Sequence, residues 1–520
     1  MVNSKKLYER RDVVNKSCFL LTVAVVALSG QGFVLGETKK ASGNKIVLPE
    51  VERPNIVFFI ADDVSQEDFG CYGHPKMKTP STDALAAGGM RFDNAYLTTS
   101  SCSPSRCSII TGRYPHNTGA PELHTKLPES QIRFPEILRA NGYYTVLAGK
   151  NHMFSSNKSD RAFDKITKGG GPGGELDWVE HVQDRPREKP FFFWFASNDA
   201  HRGWKESKEA PVYRPQDVVV PPYLVDAEAT REDLASYAHE VSRFDHFVGL
   251  VTAELKKQGV LSQTMIVVAS DNGRPFPRCK TRLYDSGIKT PWVVHYPDLI
   301  KRPSVSKSLV SVIDLSATCL ELAGVEKPAC IQGQSFVPVM KDPQVRVREL
   351  VFAEHNWHVF KNHERMVRFN DYVYIKNNYP NQINLCVESS HATPAGKDLW
   401  EAHAAGATTA EQQQVFANPC PTEELYRLSN DPNQFINLAS NPEHSEALVN
   451  ARKQLAKWTE QTGDTIPDNP TPHRYSPPRI ENGKIIPGGD YKNSKPHAEM
   501  PGAARNAMSL NHPGPLQLKD

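Results

Sequence analysis

The chain has 520 residues, enough for one large domain and a smaller one. Its 39% hydrophobic and 23% charged content is ordinary for a globular protein. A formal net charge of +2 gives no general argument for nucleic acid as a partner, so any affinity for anions must be local.

Residues 1–36 read as a secretion signal rather than as structure. Lys5, Lys6, Arg10, Arg11 and Lys16 form a basic region ahead of the apolar run Phe19 to Leu28, and Ser29 or Gly36 offers a cleavage site. That run is too short for a comfortable membrane span, and no later stretch is long enough either, so no span is expected after signal removal. Cys18 lies before the apolar core, which argues against a lipid-anchored cysteine. The expected location is periplasmic or secreted, with a lysosome as the alternative. The one evident glycosylation sequon, Asn157-Lys158-Ser159, favours the former.

After a polar linker, Asn55 to Ile60 is an almost continuous apolar run, the pattern of a strand buried on both faces of a parallel sheet. It ends in Asp62-Asp63. Two adjacent carboxylates repel one another unless a cation lies between them. A capped turn would explain one of them more readily than two.

The next informative stretch is Ser101 to Arg113, Ser-Cys-Ser-Pro-Ser-Arg-Cys-Ser-Ile-Ile-Thr-Gly-Arg. Small hydroxyl residues, Pro104 in the first turn and Gly112 as a stop predict a helix beginning near Cys102. Its free N–H groups would face whatever lies beside Cys102, with Arg106 one turn on. Three readings of Cys102 compete: a buried structural thiol, a thiolate nucleophile with its pKa lowered by the helix start and Arg106, and a modified residue, taken up below.

The strand pattern then recurs. Tyr144 to Gly149 runs into Lys150-Asn151-His152, Phe191 to Ala196 into Asn198-Asp199-Ala200-His201, and Thr264 to Ser270 into Asp271-Asn272-Gly273. Helical patterns lie between, including Glu136 to Asn141 and Leu234 to Gln258. The alternation predicts an α/β fold with a large, mostly parallel sheet flanked by helices over residues 50–350, its ligand crevice at the carboxyl ends of the strands. Asp62, Asp63, Asp271 and Asn272 supply oxygen donors suited to calcium, or to magnesium, rather than a thiophilic metal.

From about Leu350 the reading changes. Arg365 to Lys376 alternates like an antiparallel strand and Glu446 to Thr462 like an amphipathic helix, so residues 351–463 form a smaller antiparallel sheet-plus-helix subdomain. Residues 464–520 are rich in Pro and Gly and read as an extended surface tail. His355, His358 and His363 read as exposed loop histidines, with substrate contact as the alternative.

Cys-x-Pro-Ser-Arg followed by Thr-Gly-Arg resembles the signature of the type I, formylglycine-dependent sulfatases. The resemblance spans roughly Arg53 to Gly463. It implies an alkaline-phosphatase-like fold and conversion of Cys102 to formylglycine by a formylglycine-generating enzyme. It also implies calcium held by Asp62, Asp63, residue 102, Asp271 and Asn272. Within the family the chain is most similar to heparan N-sulfatases, through Asn198 to Arg202, Asp271 to Pro277 and Glu424 to Ala439. Lys280 stands where those enzymes carry an arginine, and Glu354 to Arg368 matches only loosely.

By the same resemblance the catalytic residues are Cys102, Arg106, Lys150, His152, His201 and Lys280. One hydroxyl of the hydrated aldehyde attacks sulfur and the second helps expel sulfate. His201 is the acid for the leaving group and His152 orients the nucleophile. Substrate contacts fall to Lys150, His201, Lys280, Arg282 and His355, and the substrate is a sulfated saccharide. Two other classes remain: a phosphate-ester hydrolase of the same superfamily, which usually presents Thr or Ser as nucleophile, and a sulfated-glycan binding protein without turnover. With Cys18 and Cys102 set aside an odd number of cysteines remains, and Cys319 with Cys330 and Cys386 with Cys420 are the pairings to examine first.

Overall fold

The computed structural model describes residues 53–490, apart from 157, 382, 384 and 469. The signal segment, Asn157 of the sequon and the chain beyond 490 therefore lie outside the described residues.

The first apolar run forms β1 (Asn55–Ala61), with every side chain buried. Ile56, Phe58 and Ile60 enter the core on one side, while Val57, Phe59 and Ala61 enter the core on the other. Successive side chains point to opposite faces of a strand, so a continuous apolar run is what covering both faces requires. The remaining strands of the main sheet are β2 (Met90–Tyr96), β3 (Tyr144–Gly149), β4 (Lys165–Thr167), β5 (Phe191–Ala196), β6 (Thr264–Ser270), β7 (Val293–His295) and β8 (Ser304–Ser311). They lie in the order β4-β3-β5-β1-β6-β7-β2-β8. All neighbours pair parallel except around β7, which runs against both β6 and β2.

Register places the site. Ile60 pairs with Ala196 and Ala269, and Ala196 with Gly149, so four parallel strands end level along β3-β5-β1-β6. The polar clusters predicted at four separate strand ends thus share one edge.

Helices α1 (Pro80–Gly88), α2 (Cys102–Thr111), α3 (Phe134–Ala140), α4 (Trp178–Asp184) and α5 (Glu228–Lys257) cover the two faces. In α5, Leu234, Val241, Val248, Val251 and Leu255 recur at helical spacing and pack on the β1 face that carries Val57 and Phe59. Fully burying such a side chain contributes roughly 1.5–3 kcal/mol.

A second sheet is antiparallel, in the order β12-β11-β10-β9, built from β9 (Leu350–His355), β10 (Glu364–Phe369), β11 (Tyr372–Asn377) and β12 (Glu423–Arg427). The single strand expected over Arg365 to Lys376 is instead a hairpin. Phe369 pairs with Tyr372, and Asn370, with φ of 45°, turns the chain. The helix Ser445–Thr462 packs on this sheet through Leu448, Ala451, Leu455 and Trp458. Trp458 stacks on Phe352 with 5.1 Å between centroids and meets Tyr114 edge-on at 5.1 Å, tying the small sheet to the loop after α2.

Two further expectations are corrected. Cys319, Cys330 and Cys386 are free thiols, so neither proposed disulfide is formed. Cys319 faces the main core, and Cys386 Sγ lies 2.9 Å from Ser389 Oγ. The segment after Asp464 is not all surface. Asp464 is buried against Arg365, at 2.5 and 2.7 Å, and Thr471 is buried with its hydroxyl 2.7 Å from Glu122 Oε2. This returning segment covers His363, whose Nε2 lies 3.1 Å from Thr465 O.

His363 carries a pH consequence. Burial first, then the Arg365 guanidinium, push it down to about 3. The unfolded chain takes up this proton near pH 6.5 and the folded one does not, so stability is complete above that pH and falls as pH drops toward 3. Denaturant midpoints measured from pH 7 to pH 4 should fall, and His363→Gln should flatten the fall. An identical pH dependence in the variant would refute the assignment.

Candidate active site

Helix α2 starts where the sequence places it. Ser101 is extended, with φ −155° and ψ 129°, and Gly112 ends the helix at φ 66°. A Cβ on Gly112 would also meet Ser316 Oγ at 2.1 Å, so only glycine fits there. The Ser101 side chain does not cap the helix. Its hydroxyl lies 2.8 Å from His358 Nδ1 instead.

Cys102 at this helix start meets the carboxylates at the ends of β1 and β6. Ligand atoms of Asp62, Asp63, Cys102 and Asp271 lie within 4.8 Å of one another, all buried. Cys102 Sγ donates to Asp62 Oδ1 at 3.7 Å and Asp63 Oδ1 at 3.8 Å. Asp63 adopts φ of 60°, a left-handed conformation that is costly for a residue with a side chain and clusters at functional sites.

Three cations balance the three carboxylates. Arg106 Nε donates to Asp271 Oδ2 at 2.7 Å, Lys280 Nζ to Asp63 Oδ2 at 2.6 Å, and Lys150 Nζ to Asp62 Oδ2. Burial works against charge on Lys150 and Lys280, but Asp62 for the first and Asp63 for the second outweigh it and hold both ammonium groups above their usual range. Burial likewise opposes ionisation of Asp63, but Lys280 and His201 keep its carboxyl below its usual range.

The donor set fits a hard divalent cation. Asn272 Nδ2 donates to Asp63 Oδ1 at 2.5 Å and to Gly273 O at 3.0 Å, while its Oδ1 is buried with no hydrogen-bond partner. A buried carbonyl oxygen without a donor is costly. Beside three carboxylates it is the ligand an oxygen-seeking ion such as calcium or magnesium takes. With the carboxylates already matched by three cations, a divalent ion would leave the pocket positive, and therefore receptive to an anion.

Without an ion in the pocket, the surroundings of Cys102 disfavour a thiolate. Burial first pushes its thiol far up, with Asp62 and Asp271 adding to this against Lys150 and Lys280.

The other expected residues divide. His201 is exposed, and its positive field reaches Asp63. His152 is pushed far down by burial, then by Lys150, and is held neutral. Arg282 and His355 have a different partner: both are buried against Glu364, at 2.5 Å from Arg282 Nη2 and 3.4 Å from His355 Nδ1. His355, His358 and His363, expected to be exposed, are all buried. Trp357 Nε1 donates to Pro472 O at 2.8 Å and Lys361 N to His473 Nδ1 at 3.0 Å, so the returning segment closes over them.

Sequence reasoning missed two polar residues here, Glu388 and His124, and offered His358 only as an alternative substrate contact. Glu388 is buried, with Oε1 3.9 Å from Lys280 Nζ. His358 has Lys280 and His201 as positive neighbours. His124 lies 2.8 Å from His152. No local motif marks any of them.

A hard-cation cluster at level strand ends, with a helix-start side chain and three fixed cations, is a site for hydrolysing an anionic ester or a related anion. The chain belongs to the sulfatase family and is a hydrolase of sulfate esters or N-sulfates. The family model described as Sulfatase matches residues 54–325, and one described as N-sulphoglucosamine sulphohydrolase, C-terminal, matches residues 279–385. Among curated proteins, an "Ulvan-active sulfatase" of Formosa agariphila is 30% identical over 80% of this chain and 82% of its own. The "N-sulphoglucosamine sulphohydrolase" of Homo sapiens is 29% identical over 81% of this chain and 94% of its own. A solved structure in complex with its substrate D-glucosamine-2-N,6-O-disulfate covers 80% of this chain and 99% of its own, with a TM-score of 0.63 at 20% identity. It shares the alkaline-phosphatase-like fold.

Proposed function

We propose that the protein removes sulfate from a sulfated saccharide, with the N-sulfate of glucosamine in heparan-type glycans as its target. The observation that carries this reading is the pocket itself. Cys102 stands at a helix start among Asp62, Asp63 and Asp271, with the orphan Asn272 Oδ1 alongside and Arg106, Lys150 and Lys280 around it. Asp62, Asp63, Asp271, Asn272 and residue 102 would hold calcium, or magnesium. The ion would supply Lewis acidity, and formylglycine at position 102, installed by a formylglycine-generating enzyme, would supply a paired-hydroxyl nucleophile.

The chain's own side chains do the rest. Lys150 and Lys280 bind the sulfate oxygens on which charge grows as the bond to the leaving group breaks, and Arg106 fixes Asp271 and faces residue 102. A unit-charge contact near 4 Å is worth about 4 kcal/mol at an effective dielectric of roughly 20. Contacts that strengthen in the transition state lower the barrier, and those equally strong in the ground state do not. His152, held neutral, orients the nucleophile. Exposed His201 gives a proton to the departing amine or alcohol at the mouth. The basic and apolar start of the chain supports export, to a periplasm or the medium.

The C-terminal family match over residues 279–385 favours the N-sulfate. Similarity to ulvan-active sulfatases, at 28% and 30% identity, favours a sugar O-sulfate as the second reading. Free sulfate followed on defined mono- and disaccharides separates them. Release from N-sulfated glucosamine is expected. Release from 6-O-sulfated but not N-sulfated glucosamine would reject the N-sulfate and keep the saccharide. No release from any sulfated sugar, with formylglycine present, would reject the saccharide.

A further inference from the structure

His124 is an unusual residue in an unusual place. It is exposed, and its backbone sits at φ of 67°, a left-handed conformation uncommon for a residue with a side chain. The surroundings are visible. Its N–H donates to Ser103 Oγ at 2.8 Å, on the first turn of α2 beside Cys102. The preceding residue, Leu123, donates its N–H to Trp357 O at 3.1 Å, and Leu127 N donates to Met153 O at 2.9 Å, next to His152. The segment is thus pinned to the helix start, the small-sheet side and the β3 exit at once. This fixing brings His124 Nδ1 to 2.8 Å from His152 Nε2, with the rings 4.9 Å apart.

Two imidazole nitrogens at that distance share one proton. Which nitrogen of a histidine carries its proton is set by the hydrogen bond the other one makes. His152 Nδ1 is buried and has no hydrogen-bond partner, so the contact to His124 is what decides whether that nitrogen gives or accepts a proton. Lys150, Arg106 and Lys126 lie near enough to His152 to disfavour its protonation.

We infer that His124 is a positioning residue of the active site, holding His152 in a single neutral tautomer at the reacting centre. The inference rests on the proposed hydrolysis of sulfate only for its kinetic arm. His124→Gly is the variant of choice, because glycine accepts the left-handed backbone without strain. It should lower kcat for sulfate release by about 10–100-fold, the usual loss for a partner that orients a working histidine, with KM changed by less than about twofold. Since His124 is exposed, added imidazole should restore a large part of kcat. It should not rescue His152→Ala, whose site is largely buried.

Nitrogen-15 spectra of histidine-labelled protein read the pair without turnover. Wild type should show one fixed neutral tautomer for His152, and His124→Gly a mixture or the other tautomer. An unchanged His152 signal, or a His124→Gly enzyme within twofold of wild type, would overturn the inference. A wild-type enzyme releasing no sulfate while the His152 signal shifts as expected would instead reject the functional reading and keep the histidine pair.

Discussion

Cys102→Ala is expected to abolish sulfate release while the protein stays folded. Loss of a nucleophile that acts as a unit with its neighbours typically costs four to six orders of magnitude in kcat, so no turnover should be measurable above background. The fold should tolerate the change, because alanine suits the first turn of a helix and the loss is confined to the small polar end of one side chain, about 1 kcal/mol. The wild-type peptide carrying residue 102 should show by mass spectrometry that sulfur has been lost and oxygen gained. An unmodified cysteine offers no pair of hydroxyls to attack sulfur and then expel sulfate, so protein made without the maturing enzyme should be as inactive as the alanine variant. Full activity from a chain whose residue 102 is still cysteine would overturn the mechanism.

The parts of this site that were legible in the sequence share one physical cause. A strand covered on both faces must be apolar throughout, so the first polar residue after it marks the strand end. In a parallel sheet those ends meet. Asp62, Lys150, Asn198 and Asp271 were therefore readable as neighbours before any coordinates, and registers such as Ile60 with Ala196 and Ala269 bear that out. Gly112 was readable for a similar reason, since few residues other than glycine end a helix at φ of 66°.

What was not legible depends on distant chain. The hairpin at Asn370 and Asp371 interrupts an alternation that continues unbroken in the sequence, so periodicity alone fuses β10 with β11. His355 and His363 look like loop residues until Glu364, Arg365 and the segment after Asp464 come back to bury them. His124 is a lone histidine with no motif, and its left-handed backbone is imposed by Ser103 and Trp357, contacts that no local pattern announces. Burial of polar groups is a tertiary fact, and it was the tertiary facts that were missed.

Asp271→Ala should remove activity, metal and stability together, and the three losses have separable causes. Asp271 Oδ1 accepts from Asp63 N at 3.2 Å and Oδ2 from Arg106 Nε at 2.7 Å, with every one of these groups buried. Without the carboxylate, Arg106 keeps only the looser approach of Nη2 to Asp62 Oδ2 at 4.0 Å, and its two terminal nitrogens already lack hydrogen-bond partners. Breaking a buried pair by removing one member costs about 3–5 kcal/mol, which should appear as a lower denaturant midpoint at unchanged slope. The pocket also loses one of the three carboxylates offered to the divalent ion. Elemental analysis after dialysis should therefore find less than the one calcium or magnesium per chain expected for wild type. Asp271→Asn separates the causes, because it keeps the shape and a hydrogen bond to Arg106 but not the charge. It should regain part of the stability and none of the activity. Chelation of wild type should match the loss of activity without the pair-breaking cost, and added calcium should reverse it. Full metal content and turnover in Asp271→Ala would show that the cation lies elsewhere.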